Sequence, residues 1–164
     1  ALSPTGTQTA ERGGKYLTFS LANQEYGVGI LEIRELIGMM PITAIPQAPA
    51  FIRGVINLRG KVIPIVDLRQ KFDMAGVEQT EKTCMIVVSV QGSREELLIG
   101  LVVDSVSEVM NIKEADIEET PNFGTEMNTD FILGMAKVEK GVTILLDIDR
   151  VLNVDELRNM TEQA

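Results

Sequence analysis

The chain of 164 residues carries 24 acidic and 15 basic side chains, a net charge of −9, no histidine and a single cysteine. That balance disfavours nucleic acid and anionic membrane as partners, since both demand clustered Lys and Arg. The lack of histidine and the lone Cys84 exclude the usual zinc sites, any internal disulfide and the commonest general acid–base. What remains is one domain or two small fused units around an aliphatic core, with hydrophobic content of 45% against only 4% aromatic.

Residues 1–14 are polar and Gly-rich and read as a disordered arm without an apolar signal region. Strands follow at 15–22 and 25–29, joined by a tight turn at Ala22-Asn23-Gln24. Over 30–37 the periodicity fits a short helical turn or a continuing strand equally well. Pro41, Pro46 and Pro49 make 39–49 an extended connector. Residues 51–58 and 61–66 give a strong hairpin signal turning at Arg59-Gly60, where Gly supplies positive φ cheaply. Pro64 lacks a donor, which predicts an edge strand or a bulge there. A short helix is expected over 67–72, with Asp67 receiving orphan amides at its start.

A polar connector, 73–82, leads into strands at 83–90, 96–103 and 106–112, with Cys84 read as a buried structural thiol. The acidic stretch 113–130 reads as a loop, and a second hairpin at 131–138 and 142–148 precedes a frayed terminal helix over 155–160. The longest apolar runs, 85–88 and 97–103, fall far short of the ~20 residues that span a bilayer as a helix. Nothing calls for an oxidising compartment, so the expected location is cytosolic.

Residues 51–72 recur without a gap at 131–152. Phe51, Ile52, Gly54, Val62 and Asp67 meet Phe131, Ile132, Gly134, Val142 and Asp147. A fainter match sets Tyr26-Gly27-Val28 against Ile99-Gly100-Leu101, and Ile33-Arg34-Glu35-Leu36 against Val106-Ser107-Glu108-Val109. Two sets of about five short strands in the same order predict an all-β protein of two small five-stranded, SH3-like barrels, with approximate halves 15–75 and 83–152. Whether strands are exchanged between the halves is left open. Gly54, Gly60, Gly100 and Gly134 are expected to be structural, permitting turns or close backbone approach.

Catalytic patterns are missing. The sequence has no Walker A loop, dinucleotide-binding glycine fingerprint, G-x-S-x-G elbow or D-x-D-x-D-G loop. Glu114, Asp116, Glu118 and Glu119 read as a solvated face. An oligonucleotide-binding barrel would display basic strands with exposed aromatics, and no such strand is present. One turn stands apart. Where the first copy has Asn57-Leu58-Arg59-Gly60, the second has Lys137-Val138-Glu139-Lys140. An Arg at a strand tip is by default a solvated turn residue, but the contrast with Glu139 points to a partner contact on one copy only. Arg suits this role through its planar fork of donors, with Glu35 available to orient it.

The strings EYGVGILEIRELIG (25–38) and ITAIPQAPAFIRGVINLRGKVIPIVDLRQKF (42–72) strongly resemble the CheW family of chemotaxis coupling proteins, and the matches IGLVVDSVSEVM (99–110) and FILGMAKVEKGVTILLDIDRVL (131–152) continue the likeness. The resemblance, over roughly 15–155, implies two five-stranded barrels and a scaffold without catalytic activity or cofactor. It implies as partners the cytoplasmic hairpin tip of chemoreceptors, the regulatory domain of the histidine kinase CheA and further CheW copies. By motif, Ile33, Glu35, Asn57 and Arg59 resemble the receptor-facing residues, and Phe123 resembles an aromatic contact between neighbouring domains of a ring. A CheV-type adaptor would need an added receiver domain, for which this length leaves no room. A CheW-like adaptor of surface motility or another kinase pathway is the nearest rival reading.

Overall fold

The computed structural model describes residues 12–72, 74–76, 78–91, 96–119, 131–139 and 141–152. Eleven strands are found among them: β1 (Gly14–Leu21), β2 (Gln24–Gly29), β3 (Ile33–Gly38), β4 (Ile52–Leu58), β5 (Lys61–Asp67), β6 (Cys84–Gln91), β7 (Glu96–Val103), β8 (Ser105–Ile112), β9 (Ile117–Glu118), β10 (Ile132–Val138) and β11 (Gly141–Leu146). Two single-turn helices, α1 (Leu68–Lys71) and α2 (Ile148–Val151), follow the two long hairpins. The terminal segment 155–160 lies outside the described residues.

The strands form two sheets, ordered β8-β1-β2-β11-β10-β9 and β3-β6-β7-β5-β4. Each takes the first two strands of one sequence copy and the later strands of the other, so the copies exchange strands. The exchange obeys a pseudo-twofold relation. β2 pairs in parallel with β11 through Gly27 and Leu145, and β7 pairs in parallel with β5 through Gly100 and Ile65. These are equivalent positions of the repeat. The two-residue β9 on β10 has its counterpart in the isolated bridge of Thr43 to Val55 on β4.

Turn chemistry follows the sequence. Ala22 and Asn23 both hold positive φ, 52° and 66°, giving the primed turn that matches strand twist. The segment 30–37 uses both of its options: a 3₁₀ turn at Ile30–Glu32, then β3. Asp67 caps α1, its Oδ1 accepting from the amide of Arg69 at 3.0 Å. Asp147 makes no such bond to α2 and instead faces Arg150 Nε at 3.6 Å.

The edge expectation for Pro64 holds only locally: β5 as a whole lies between β7 and β4, inside its sheet, but its pairing with β7 covers only Ile65–Asp67. The missing donor is harmless for a local reason. Opposite Pro64, Val55 spends both its N–H and its C=O on Thr43, at 2.9 and 2.8 Å. The pair of Val55 and Pro64 is therefore a non-hydrogen-bonded one, which turns the Pro64 nitrogen toward β7, and the ladder to β7 begins only at Ile65.

Arg12 to Gly14, read from sequence as the end of the arm, are tied down. The amides of Arg12 and Gly13 donate to Glu114 Oε1 at 2.6 and 2.9 Å, and β1 begins at Gly14. Glu114 thus serves as an anchor, where sequence gave it a solvated face.

The largest core cluster draws on both sheets, with Leu17, Phe19 and Val28 against Ile52, Ile86 and Leu101. Each sheet also wraps a small cluster of its own: Tyr16, Ile112, Ile117, Ala136 and Leu145 in one, and Ile56, Ile63, Ile65, Met85 and Val102 in the other. A file of stacked rings runs through the shared core from Phe19 to Tyr26 to Phe72 to Phe131, with centroids 5.9, 6.0 and 4.8 Å apart. It joins residues from both copies.

Candidate binding surface on the first copy

The β4–β5 hairpin presents the distinctive polar turn. Arg59 and Gly60 hold φ of 52° and 87°, both left-handed, so the hairpin closes in two residues. Asn57 Oδ1 accepts from the amide of Gly60 at 2.7 Å. Space around a Cβ at Gly60 is open, so the glycine serves the backbone angle and not packing. Gly54 is different: its φ is 139°, and a Cβ there would lie 2.1 Å from the Thr43 carbonyl oxygen. Gly100 and Gly134 are also close approaches, each with a side-chain carbon 2.6 Å from the site of a Cβ, from Ile65 and Ile117 respectively.

Arg59 Nη2 is bonded to Glu35 Oε1. Glu35 stands on β3 and Arg59 at the tip of β4, the two outer strands of one sheet. Their contact requires that sheet to curl until its edges meet. The Arg59 side chain is 69% exposed, with one corner of its fork held by Glu35. Such a pair adds only ~0–1 kcal/mol of stability, and its effect is orientation. Ile33 is half-buried and leans on the shared core, so it offers only part of its side chain to the surface. The structure therefore brings Glu35, Asn57 and Arg59 together, with Ile33 behind them at the start of β3. Phe123 lies outside the described residues.

Sequence reasoning missed Val62. It pairs directly with Asn57 across the hairpin and is 53% exposed, placing an apolar side chain beside the Arg59 turn. The period-2 alternation of the hairpin contains this, but the apolar run of β5 hides it. Leu31, 89% exposed in the 3₁₀ turn, and Leu36, 47% exposed on β3, were missed as well.

In the second copy the same frame carries other chemistry. Lys137, in the place of Asn57, reaches Glu118 Oε2 at 3.0 Å. Glu139 replaces Arg59, and the equivalent of Glu35 is Glu108, also acidic. Like charges there cannot form the cross-edge pair.

Elsewhere, a cleft lined by Arg53, Asp67, Arg69, Thr83, Val102 and Asp104 holds paired charges. Arg69 donates to Asp104 through Nε and Nη2 at 2.8 and 2.6 Å, which holds the Asp104 carboxyl below its ordinary range. Arg53 Nη1 lies 3.5 Å from Asp67. Glu32 is pushed up to about 7, by burial first and then by Asp149 and Asp147. Burial raises the Cys84 thiol, which is half-buried. Among the described residues, no group of three or more Cys, Asp or Glu is arranged to hold a metal ion, and no helix is long and apolar enough to cross a membrane.

Comparison with known proteins agrees with this architecture. Residues 15–156 match the CheW-like domain. The chemotaxis protein CheW of Klebsiella aerogenes is 39% identical over 145 residues, covering 88% of this chain and 85% of its own length. That of Rhizobium meliloti is 35% identical over 144 residues, covering 88% and 90%. The solved scaffolding protein TtCheW of Thermoanaerobacter tengcongensis superposes with a TM-score of 0.77 at 36% identity, over 87% of this chain and 94% of that one. The all-β frame of two small SH3-like units is therefore shared with that scaffold, and the chain belongs to the CheW-like family.

Proposed function

We propose that this protein is a non-catalytic chemotaxis scaffold. In this reading it joins the cytoplasmic hairpin tip of chemoreceptors to the regulatory domain of the histidine kinase CheA, on the cytoplasmic side of receptor arrays that include further CheW-like copies. Family membership supports the coupling role. The observation that carries the receptor assignment is the Arg59 fork, held by Glu35 on one copy and replaced by Glu139 on the other. An apolar helical tip would rest on Val62 while its polar groups meet the free donors of Arg59. Rim charges of this kind act mainly on register and specificity. Assembly through several weak contacts then gains from avidity.

The test is autophosphorylation of CheA with matched receptor fragments, with and without this protein. A large rise only when all three are present is the expected result. No rise, with folded protein and matched partners, would place the chain in another kinase pathway.

A further inference from the structure

The sequence groups Asn57 with the partner-contacting residues, and the geometry points to a different task. We propose that Asn57 is a positioning residue that sets the backbone from which Arg59 reaches its partner; this rests on the coupling role proposed above. A two-residue hairpin needs left-handed φ at both turn positions. Gly60 supplies this at no steric cost, whereas Arg59 does not, since its Cβ crowds the following carbonyl at φ of 52°. In such a turn the amide of the second turn residue has no partner on the opposite strand. Here it is taken by Asn57 Oδ1 at 2.7 Å, from the last residue but one of β4. The acceptor fixes Gly60, Gly60 fixes the turn, and the turn aims Arg59 at Glu35.

Three further observations favour positioning over contact. The oxygen of Asn57 is already engaged within the chain, one of its two lone pairs taken by the Gly60 amide. The second copy has no acceptor in this place, since Lys137 is turned to Glu118 at 3.0 Å, and it has no Arg to aim. Val62, directly opposite, supplies the exposed apolar surface without help from Asn57.

Asn57→Asp keeps the acceptor and removes both donors, so it separates the two roles. The full chain is compared as wild type, Asn57→Ala, Asn57→Asp, Arg59→Ala and the double variant Asn57→Ala/Arg59→Ala. The intraresidue amide–Hα NOE of Arg59 reports positive φ without any partner, and binding of a receptor-tip fragment is measured in parallel. Wild type and Asn57→Asp should show the strong NOE and bind within about twofold of one another. Asn57→Ala should lose the NOE and about fivefold in affinity, the worth of one hydrogen bond, and should add nothing on top of Arg59→Ala. The inference is overturned if Asn57→Asp binds as poorly as Asn57→Ala with the turn NOE intact, or if Asn57→Ala keeps the NOE. If wild type binds no receptor tip while the NOE series runs as expected, the coupling role fails and the turn-setting role of Asn57 stands.

Discussion

Arg69 and Asp104 form a two-bond ion pair at the corner where the chain leaves one sheet for the other, between β7 and β8. Asp104 Oδ2 also accepts from the amide of Ala22, and Arg69 Nη1 donates to the carbonyl of Ala75. One carboxylate thus ties together α1, the β1–β2 turn and the crossing. The equivalent crossing of the first copy is Ile30–Glu32, where Leu31 takes the place of Asp104 and lies 89% exposed.

Asp104→Ala should cost about 1–3 kcal/mol in urea unfolding, the range for a hydrogen-bonded charge whose partner is left behind. The pH dependence has a definite sign. Asp104 titrates below its ordinary value in the fold, so its contribution is full above the ordinary carboxylate range and fades as pH falls through the lowered folded-state value. The cost of the substitution should shrink correspondingly in acid.

Glu32 behaves in the opposite sense. Its folded value of about 7 lies above the ordinary 4.5, so the unfolded chain releases this proton first. Stability should decline as pH rises from about 4.5 and level off above about 7. Glu32→Gln removes that penalty. Its melting temperature should match wild type near about pH 4 and exceed it by about 2–5 °C at about pH 8, a modest gain because the group is only partly shielded from water. Equal differences at both pH values would contradict the assignment.

Arg59→Glu should lower receptor-dependent kinase activation by about tenfold while leaving the urea midpoint nearly unchanged. The repeat already carries this chemistry, since Glu139 stands at the equivalent sequence position in the other copy. Loss of folding in this variant would refute the surface placement of Arg59.

Two glycines should separate cleanly by substitution. Gly54→Ala puts a Cβ against the Thr43 carbonyl oxygen at positive φ, which should destabilise by at least about 3 kcal/mol. Gly60→Ala meets open space and suffers only the left-handed backbone, a cost of about 1–2 kcal/mol. Urea titrations of both variants would rank them.

Much of the frame was legible because its signals are local. The tight turn at Ala22-Asn23-Gln24, the hairpin at Arg59-Gly60 and the Asp67 cap each follow from a few adjacent residues, and the repeat of 51–72 at 131–152 announced the duplication. Glu35 could be named as an available acidic partner of Arg59, but the curling of the sheet that brings β3 to β4 could not. The exchange of strands was not legible, since period-2 alternation is the same whichever strand lies alongside: Gly27 meets Leu145 across more than half the chain. Pro64 was read only in part, since its strand is internal but unpaired with β7 at that residue. Its tolerance depends on Thr43 taking the hydrogen bonds of Val55 and on the β7 ladder starting only at Ile65, neither of which a strand pattern encodes. The Arg12–Glu114 clasp joins a polar end to an acidic stretch, two segments that both read as solvated.

The strand exchange orders events in time. The sheet of β3 to β7 is built wholly from residues 33–103, one uninterrupted stretch, whereas the other sheet is assembled from 14–29 and 105–146. In topological terms, one barrel is inserted inside the other. On a chain emerging from the ribosome the inner barrel has every strand it needs once Val103 is out, while β1 and β2 must wait for β8 and β11. Until then β1 and β2 have only each other along their edges, and their apolar faces have only the inner barrel to pack against.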